Sequence, residues 1–356
     1  MEHIKDVLEK VPEVPEDIVE QPDGTWGFGA VWNAGLLVRE ERERKPRDYV
    51  WASELDKSNV DIWLSMKGTE PSNRPNARSL RKFVAGDIWE WILMLMLLKA
   101  GILVETQERV EHQYEGLIKV TGKLDFDAGG KPDFEKGRKE LEALMLPPQM
   151  KNIGANILRF LEEKYPDGLE QKIIEAKSRS VFMFEKDMKT KRGQKAHRMQ
   201  LTHYLVGKNR RAGELFYICR DDCRLLEVPV LNPGANVDEY KKRIQELTVV
   251  AAMTEQPAIE PLVLFDEDEG KFSKNWRIEY SSYLTMLYGY ERPDLYADEV
   301  KPMVARWNRV MGRVKKGEKM TPGNLEAIEE MKRWSFDPDA LVDKFAGGDK
   351  EETETV

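Results

Sequence analysis

Cysteine is scarce: Cys219 and Cys223 are the only two in 356 residues. That excludes a disulfide scaffold and matches a reducing compartment. Long apolar runs are missing too. The longest, Trp91 to Leu98, falls far short of the roughly 20 residues that span a bilayer, so no membrane contact is expected. The opening residues, MEHIKDVLEKVPEVPED, hold no apolar h-region, so no secretion signal is expected and the cytoplasm is the expected location. No GxxxxGK[ST] occurs, which argues against a nucleotide-driven motor, and no internal repeat is visible. A basic surplus is also lacking: 56 Lys and Arg face 64 Asp and Glu, for a formal charge of -8. Nucleic-acid binders usually show a basic domain. Net charge averages over faces, however, so its local distribution carries more.

What is present suits a globular α/β protein. The hydrophobic fraction is 41%, and 34% of residues are charged, above the usual quarter. The length allows one main domain with additions, or two. Residues 1–78 read as a polar N-terminal arm with at most short helices, including the charge run Arg39 to Arg47. Residues 79–255 read as the core, 256–345 as a mainly helical extension, and 346–356 as a disordered tail. The core pattern opens with a helix over Ala77 to Ala100, closed by Gly101. ILVETQERVEH and EGLIKVTGKLDFD follow as two strands, then a loop and two helices over 134–165 around Pro147–Pro148. EQKIIEAKS is a short strand and Gly193 to Lys208 a helix. A hairpin turns at Asp221–Asp222, and 236–254 is helical. This order describes a mixed central sheet flanked by helices.

Three carboxylates stand where the pattern makes them costly. In IIEAKS (173–178) an apolar strand delivers Glu175 and Lys177, which alternation places on one face. Such a pair can hold a metal ion and orient a water; as an isolated triplet it reads more simply as a surface ion pair at a strand end. Asp125 falls inside KVTGKLDFD, a strand-forming run in which aspartate is disfavoured and its burial expensive unless paired or metal-bound. Asp127, two residues on, is a substitute ligand or a turn residue. Glu90 is the one carboxylate in IWEWILMLMLL, with Gly86 one turn before it leaving room for a close approach, or else a helix-edge residue reaching water. Hard oxygen donors suit Mg²⁺ or Mn²⁺. Lys177 would then position or deprotonate the attacking water, or neutralise the transition state. Gln200 and Tyr204 share a face of the later helix.

In this order AGDIWEW (85–91), TGKLDFD (121–127), IIEAKS and QLTHYL (200–205) resemble the RecB-like branch of the PD-(D/E)XK nucleases, which includes phage and CRISPR-associated exonucleases. The resemblance covers about residues 80–255 and implies that family's restriction-endonuclease-like core. It implies that Glu90, Asp125, Glu175 and the Ala176 carbonyl bind Mg²⁺ or Mn²⁺, that Lys177 is catalytic, and that Gln200 and Tyr204 support them. Many relatives carry His where Glu90 stands. The implied activity is a metal-dependent DNA exonuclease of phage or bacterial recombination, repair or replication, acting on single- or double-stranded ends. A homo-oligomer, or a partner protein of recombination or replication, is compatible with it.

Around the motifs lie Lys189, Lys191, Arg192, Lys195 and Arg198, then Lys208, Arg210 and Arg211, expected to bind the DNA backbone or, alternatively, to form solvated loops. His197 and His203 are proton carriers or, more simply, solvated or capping side chains. Many RecB-like relatives also hold an iron–sulfur cluster on four cysteines. Here Ile278, Ser281 and Leu287 stand near those places, with Ser58 upstream, so no cluster is expected. Instead Trp276, Ile278, Tyr280, Tyr283 and Leu287 are expected to pack apolar surface. Cys219 and Cys223 read as structural, facing one another across the hairpin. The rival readings are a catalytically silent DNA-end-binding or assembly module on the same fold, a helical scaffold, and a restriction-like sequence-specific cutter.

Overall fold

The computed structural model describes residues 32, 35–36, 44–266, 270–334 and 336. The chain divides into two compact units, one of residues 1–56, 65–69 and 75–254, the other of 57–64, 70–74 and 255–356. The expected tail and most of the expected arm lie outside the described residues.

In the first unit Trp32, Gly35 and Leu36 are helical, and a strand not expected in the arm, β1 (Tyr49–Trp51), follows with a 3-10 turn at Ala52–Glu54. A short helix, α1, spans Asn59–Met66, its residues up to Leu64 belonging to the second unit. Helix α2 (Ala77–Lys99) starts where the Asn76 side chain accepts from Ser79 N–H at 2.9 Å, and stops at Gly101, whose φ of 70° closes it as expected. Its outer side is apolar yet open: Trp91 is 70% exposed, and Ile88, Leu95, Met96 and Leu98 are exposed with it.

The two strands expected next each break in two. The first becomes β2 (Leu103–Thr106) and β3 (Arg109–His112), the second β4 (Lys119–Lys123) and β5 (Phe126–Gly130). Both breaks fall at one corner. Gln107 adopts φ 54° there, the Thr106 hydroxyl donates to the Asp125 carbonyl at 2.8 Å, and Leu124 N–H donates to the Glu108 carbonyl at 3.0 Å. One hairpin thereby serves two sheets. Its far half joins a three-stranded sheet of order β1-β4-β3, and its near half joins a five-stranded one.

Helices α3 (Phe134–Ala143) and α4 (Pro148–Lys164) flank Pro147–Pro148 as expected. Strand β6 (Leu169–Arg179) is longer than EQKIIEAKS alone suggests. After it come α5 (Val181–Thr190), α6 (Lys195–Gly207), the hairpin β7 (Ala212–Cys219) and β8 (Leu225–Leu231), and α7 (Ala235–Ala252). The five-stranded order is β2-β5-β6-β7-β8, with only β6 and β7 parallel. It is the expected α/β class: a mixed sheet flanked by helices. Cys219 is buried and Cys223 exposed in the turn, where its N–H donates to the Cys219 carbonyl at 2.9 Å. The two thiols therefore do not form the facing pair expected of them.

The second unit holds the hairpin β9 (Val263–Asp266) and β10 (Lys271–Lys274), then helices α8 (Trp276–Glu279), α9 (Leu284–Tyr288), α10 (Pro293–Lys315) and α11 (Pro322–Arg333). Its core gathers Phe272, Ile278, Tyr296, Val300 and Met331 around the fully buried Trp307, whose indole donates to Glu330 at 2.8 Å. Ser58 and Ser281 share Asp61 as a partner: Ser281 donates to the Asp61 carboxylate at 2.6 Å, and Asp61 N–H donates to the Ser58 hydroxyl at 3.1 Å. Ile278 and Tyr283 are buried, and Leu287 packs beside Tyr283, Val60 and Leu64. Trp276 and Tyr280 depart from the expected packing; Tyr280 is 73% exposed. Among the described residues, no helix is long and apolar enough to cross a membrane.

Candidate active site

Two neighbouring strands of the five-stranded sheet bring the acids together. β5 and β6 are antiparallel, with Phe126 opposite Ile174. Asp125 lies one residue before the ladder starts, at the corner, where its carboxylate is free to turn inward. There its Oδ2 accepts the Ala176 N–H at 2.9 Å. A strand interior would have sent that N–H to a backbone carbonyl, so the bend is what makes room for the acid. Glu175 is fully buried and Asp125 nearly so. Lys177 shares the face of Glu175, as alternation requires, and its ammonium donates to Glu175 Oε1 while standing 3.8 Å from Asp125 Oδ2.

The electrostatics are those of too many negative charges in too little water. Burial, reinforced by the Asp125 carboxylate, pushes the Glu175 carboxyl up to about 8. Glu90 rises to about 7 for the same two reasons, in the same order. Asp125 is also raised by burial, against the pull of Lys177 and of the Ala176 N–H. Burial works against the charge on Lys177, but the carboxylates of Glu175 and Asp125 outweigh it and hold the ammonium above its ordinary value. Glu175 Oε2 is buried with no hydrogen-bond partner.

Glu90 thus feels Asp125 and Lys177 from helix α2, yet it does not close on them. Among the described residues, no three His, Cys, Asp or Glu side chains form a ready metal-binding group. The expected trio is a tight pair with a third acid standing off, and a lysine ammonium lies between the paired carboxylates. Gly86 is not sterically required: a Cβ there would meet only the Ser178 hydroxyl, at 3.6 Å.

Helix α6 supplies the support. Gln200 Nε2 donates to the Tyr204 hydroxyl at 3.2 Å, and that hydroxyl donates to the Lys123 carbonyl at 2.8 Å. Tyr204 therefore grips β4 two residues before Asp125. Gly122 belongs to the same contact, since a Cβ there would lie 2.8 Å from the Tyr204 ring and 2.9 Å from Ala52. The sequence marks Gly122 and Tyr204 as separate signals; their contact fixes the corner.

The remaining expected residues separate sharply. Asp127 lies in β5, fully buried, and Arg210 Nη2 donates to it at 2.6 Å, so it stands in a strand rather than a turn and is paired with a cation. Arg210 is spent on that pair, and Lys208 on Glu105 and Glu108. Lys195 pairs with Glu239 at 2.7 Å. Arg198 donates to the Gly193 carbonyl at 2.8 Å and to Asn236 at 3.3 Å. These four, expected to bind the DNA backbone, each hold a partner within the protein. Lys189, Lys191, Arg192 and Arg211 are exposed and form no ion pair among the described residues. Replacing Lys189, Lys191 and Arg192 together should make DNA affinity less salt-dependent, lowering the log–log slope by about 2. Arg210→Ala should instead cost about 3 kcal/mol by stranding the buried Asp127. A salt titration of affinity and a urea melt distinguish the two.

His203 is neither solvated nor a cap. It is fully buried, with Nδ1 2.8 Å from the Tyr240 hydroxyl and Nε2 3.2 Å from the Val110 carbonyl. The carbonyl can only accept, so Nε2 carries the proton and Nδ1 accepts from tyrosine. Burial lowers its pKa to about 4. Unfolded, the imidazole takes up its proton near 6.5. The unfolded chain therefore binds more protons between those values, and stability must fall as the pH drops from 6.5 toward 4, by about 3 kcal/mol in all. His203→Gln should flatten that part of a stability–pH curve. His197, by contrast, sits 3.0 Å from the Tyr217 hydroxyl and is held well below its ordinary pKa by burial and by Lys177 and Arg179.

No family model matches the chain, and no curated protein does either. Among solved structures, that of SSO0001 is similar at a TM-score of 0.41 and 15% identity, covering 72% of this chain and 94% of its own. LHK-Exo in complex with dAMP gives 0.36 and 14%, covering 62% and 90%. A second structure of LHK-Exo, an alkaline exonuclease from Laribacter hongkongensis, gives 0.32 and 11% over the same shares. Likenesses this slight carry no argument about activity. The site geometry has to carry it.

Proposed function

We propose that the chain is a metal-dependent deoxyribonuclease of the RecB-like PD-(D/E)XK type that degrades DNA from its ends. One observation carries the reading: Asp125, Glu175 and Lys177 converge from adjacent strands, with Asp125 fastened to the backbone N–H between the other two.

The residues fit a hard divalent cation such as Mg²⁺ or Mn²⁺. Their donors are carboxylate oxygens, Glu175 Oε2 has no partner, and Glu90 and Glu175 are both raised by burial and by the Asp125 carboxylate. Asp125 and Glu175 would hold the ion, with Glu90 and the Ala176 carbonyl completing the set. When bound, such an ion supplies Lewis acidity toward a phosphate oxygen and a more acidic water. Lys177, held protonated, donates hydrogen bonds from Nζ and meets charge developing on the phosphate; a permanently charged ammonium is a poor proton acceptor, so water deprotonation is not its task. Tyr204 and Gln200 keep the Asp125 corner in place. Lys189, Lys191 and Arg192 neutralise the backbone on the way in.

The test is digestion of end-labelled linear DNA and covalently closed circles. Linear DNA should disappear with Mn²⁺ or Mg²⁺ and survive in EDTA, while circles persist. Cleavage that continues in EDTA would end the metal reading. A protein that binds ends and never cuts would be the silent module instead, and rapid cutting of circles would make the enzyme an endonuclease.

A further inference from the structure

The three-stranded sheet β1-β4-β3 has one ordinary face and one that is not. Val50, Val120 and Val110 are buried on the first. Alternation places Tyr49 and Trp51 on the other, beside Lys119 and Thr121 through the β1/β4 register, with Arg109 opposite Lys123 on the next strand. A sheet face that met only water would carry small polar side chains. This one carries two large rings, partly open to solvent, packed edge to face at 5.3 Å. Cations frame them: Arg47, Lys119 and Arg109 lie 5.5, 5.6 and 5.8 Å from the Tyr49 centroid, and Arg109 lies 5.7 Å from that of Trp51.

The cations are held by neighbours, among them Glu111, which shares this face opposite Thr121 and also lies 3.8 Å from Lys119. Arg47 bonds to Glu54 and donates to the Ser65 hydroxyl at 2.8 Å, while Arg109 is braced by Thr121 at 3.1 Å and Glu111 at 2.9 Å. Arg109 and Lys119 nonetheless keep solvent-facing surface, their side chains 49% and 33% exposed. Rings that accept bases of any sequence, beside cations that accept phosphates, are what a single-stranded nucleic acid needs. A duplex has its bases already stacked internally and would meet only the charges.

The sheet also points to the site. Trp51 pairs with Thr121, four residues before Asp125, which is at most about 14 Å of chain. Resting on the nuclease reading above, we infer that Tyr49 and Trp51, with Arg47, Arg109 and Lys119, form a stacking platform for single-stranded nucleic acid that feeds strand β4's far end, where Asp125 and Glu175 stand.

The experiment measures fluorescence anisotropy of labelled dT20 and of a blunt 20-base-pair duplex with the full chain in EDTA, where binding is read apart from cutting. Wild-type protein should bind dT20. The pair Tyr49→Leu with Trp51→Leu, which keeps apolar bulk and loses stacking, should weaken dT20 binding by about tenfold or more and change duplex binding little. The pair Tyr49→Phe with Trp51→Phe should bind dT20 as wild type does, which separates stacking from folding. Wild-type protein that ignores dT20, or a leucine pair that binds it as tightly as the phenylalanine pair, overturns the platform. Failure of the nuclease reading shows elsewhere: linear DNA left intact by wild-type protein with Mn²⁺, whatever the anisotropy says.

Discussion

Lys177→Met should bind DNA and metal nearly as wild type does and cut it slower by three orders of magnitude or more. The side chain is unbranched and similar in length, so the apolar stem keeps its place on β6. What disappears is the one ammonium that contacts Glu175 and stands 3.8 Å from Asp125. An interaction that matters chiefly as charge builds on the phosphate lowers turnover and leaves the Michaelis constant nearly untouched. Single-turnover rates at saturating enzyme are the measurement. Wild-type turnover in this variant would remove Lys177 from the chemistry.

Glu175→Gln should abolish cutting and leave the protein as stable as wild type at about pH 4, but more stable than wild type at neutral pH and above. The sign follows from the raised pKa of about 8. In the unfolded chain a glutamate loses its proton near 4.3, so between those values the folded state holds the extra proton. Wild-type stability therefore declines as pH rises toward 8, by a few kcal/mol at roughly 1.4 kcal/mol per unit. Glutamine imitates the protonated acid at every pH and escapes that decline. Mn²⁺ should raise the melting temperature of wild type far more than that of the variant, because a ligand of the folded state stabilises only what binds it. Equal Mn²⁺ stabilisation of both would show that Glu175 is no ligand.

The parts of this site that lie within a few residues of each other were readable from the text. Glu175 and Lys177 share a face because strand geometry leaves no choice, and the cost of an aspartate in KVTGKLDFD did mark Asp125 as exceptional. The reason for its tolerance was not readable. A sequence pattern of apolar and β-branched residues runs unbroken through residues 117–127, whereas the chain bends at Asp125 and Gln107 to change sheets. Partners far apart in sequence were equally hidden. Arg210 and Lys208 look identical to Lys191 and Arg192 as text, yet Arg210 answers Asp127 across 83 residues and Lys208 answers Glu108 across 100. His203 read as a solvated or capping residue because an imidazole is polar; the partners that let it be buried, Tyr240 and Val110, are 37 and 93 residues away. Tyr49 and Trp51 sit in a segment whose charge and prolines suggested an arm, and β4 recruited it.

The corner at Asp125 has a consequence for the cell that makes this chain. Its two fastenings close loops of 51 residues to Ala176 and 81 residues to Tyr204. Contacts of such high order cannot form until residues far downstream of Asp125 have been made. No fragment ending before Tyr204 can seat Asp125 as the finished protein does, so nascent or truncated chains should be unable to cut. On the proposed nuclease reading, the activity is thus withheld until synthesis has passed the middle of the chain.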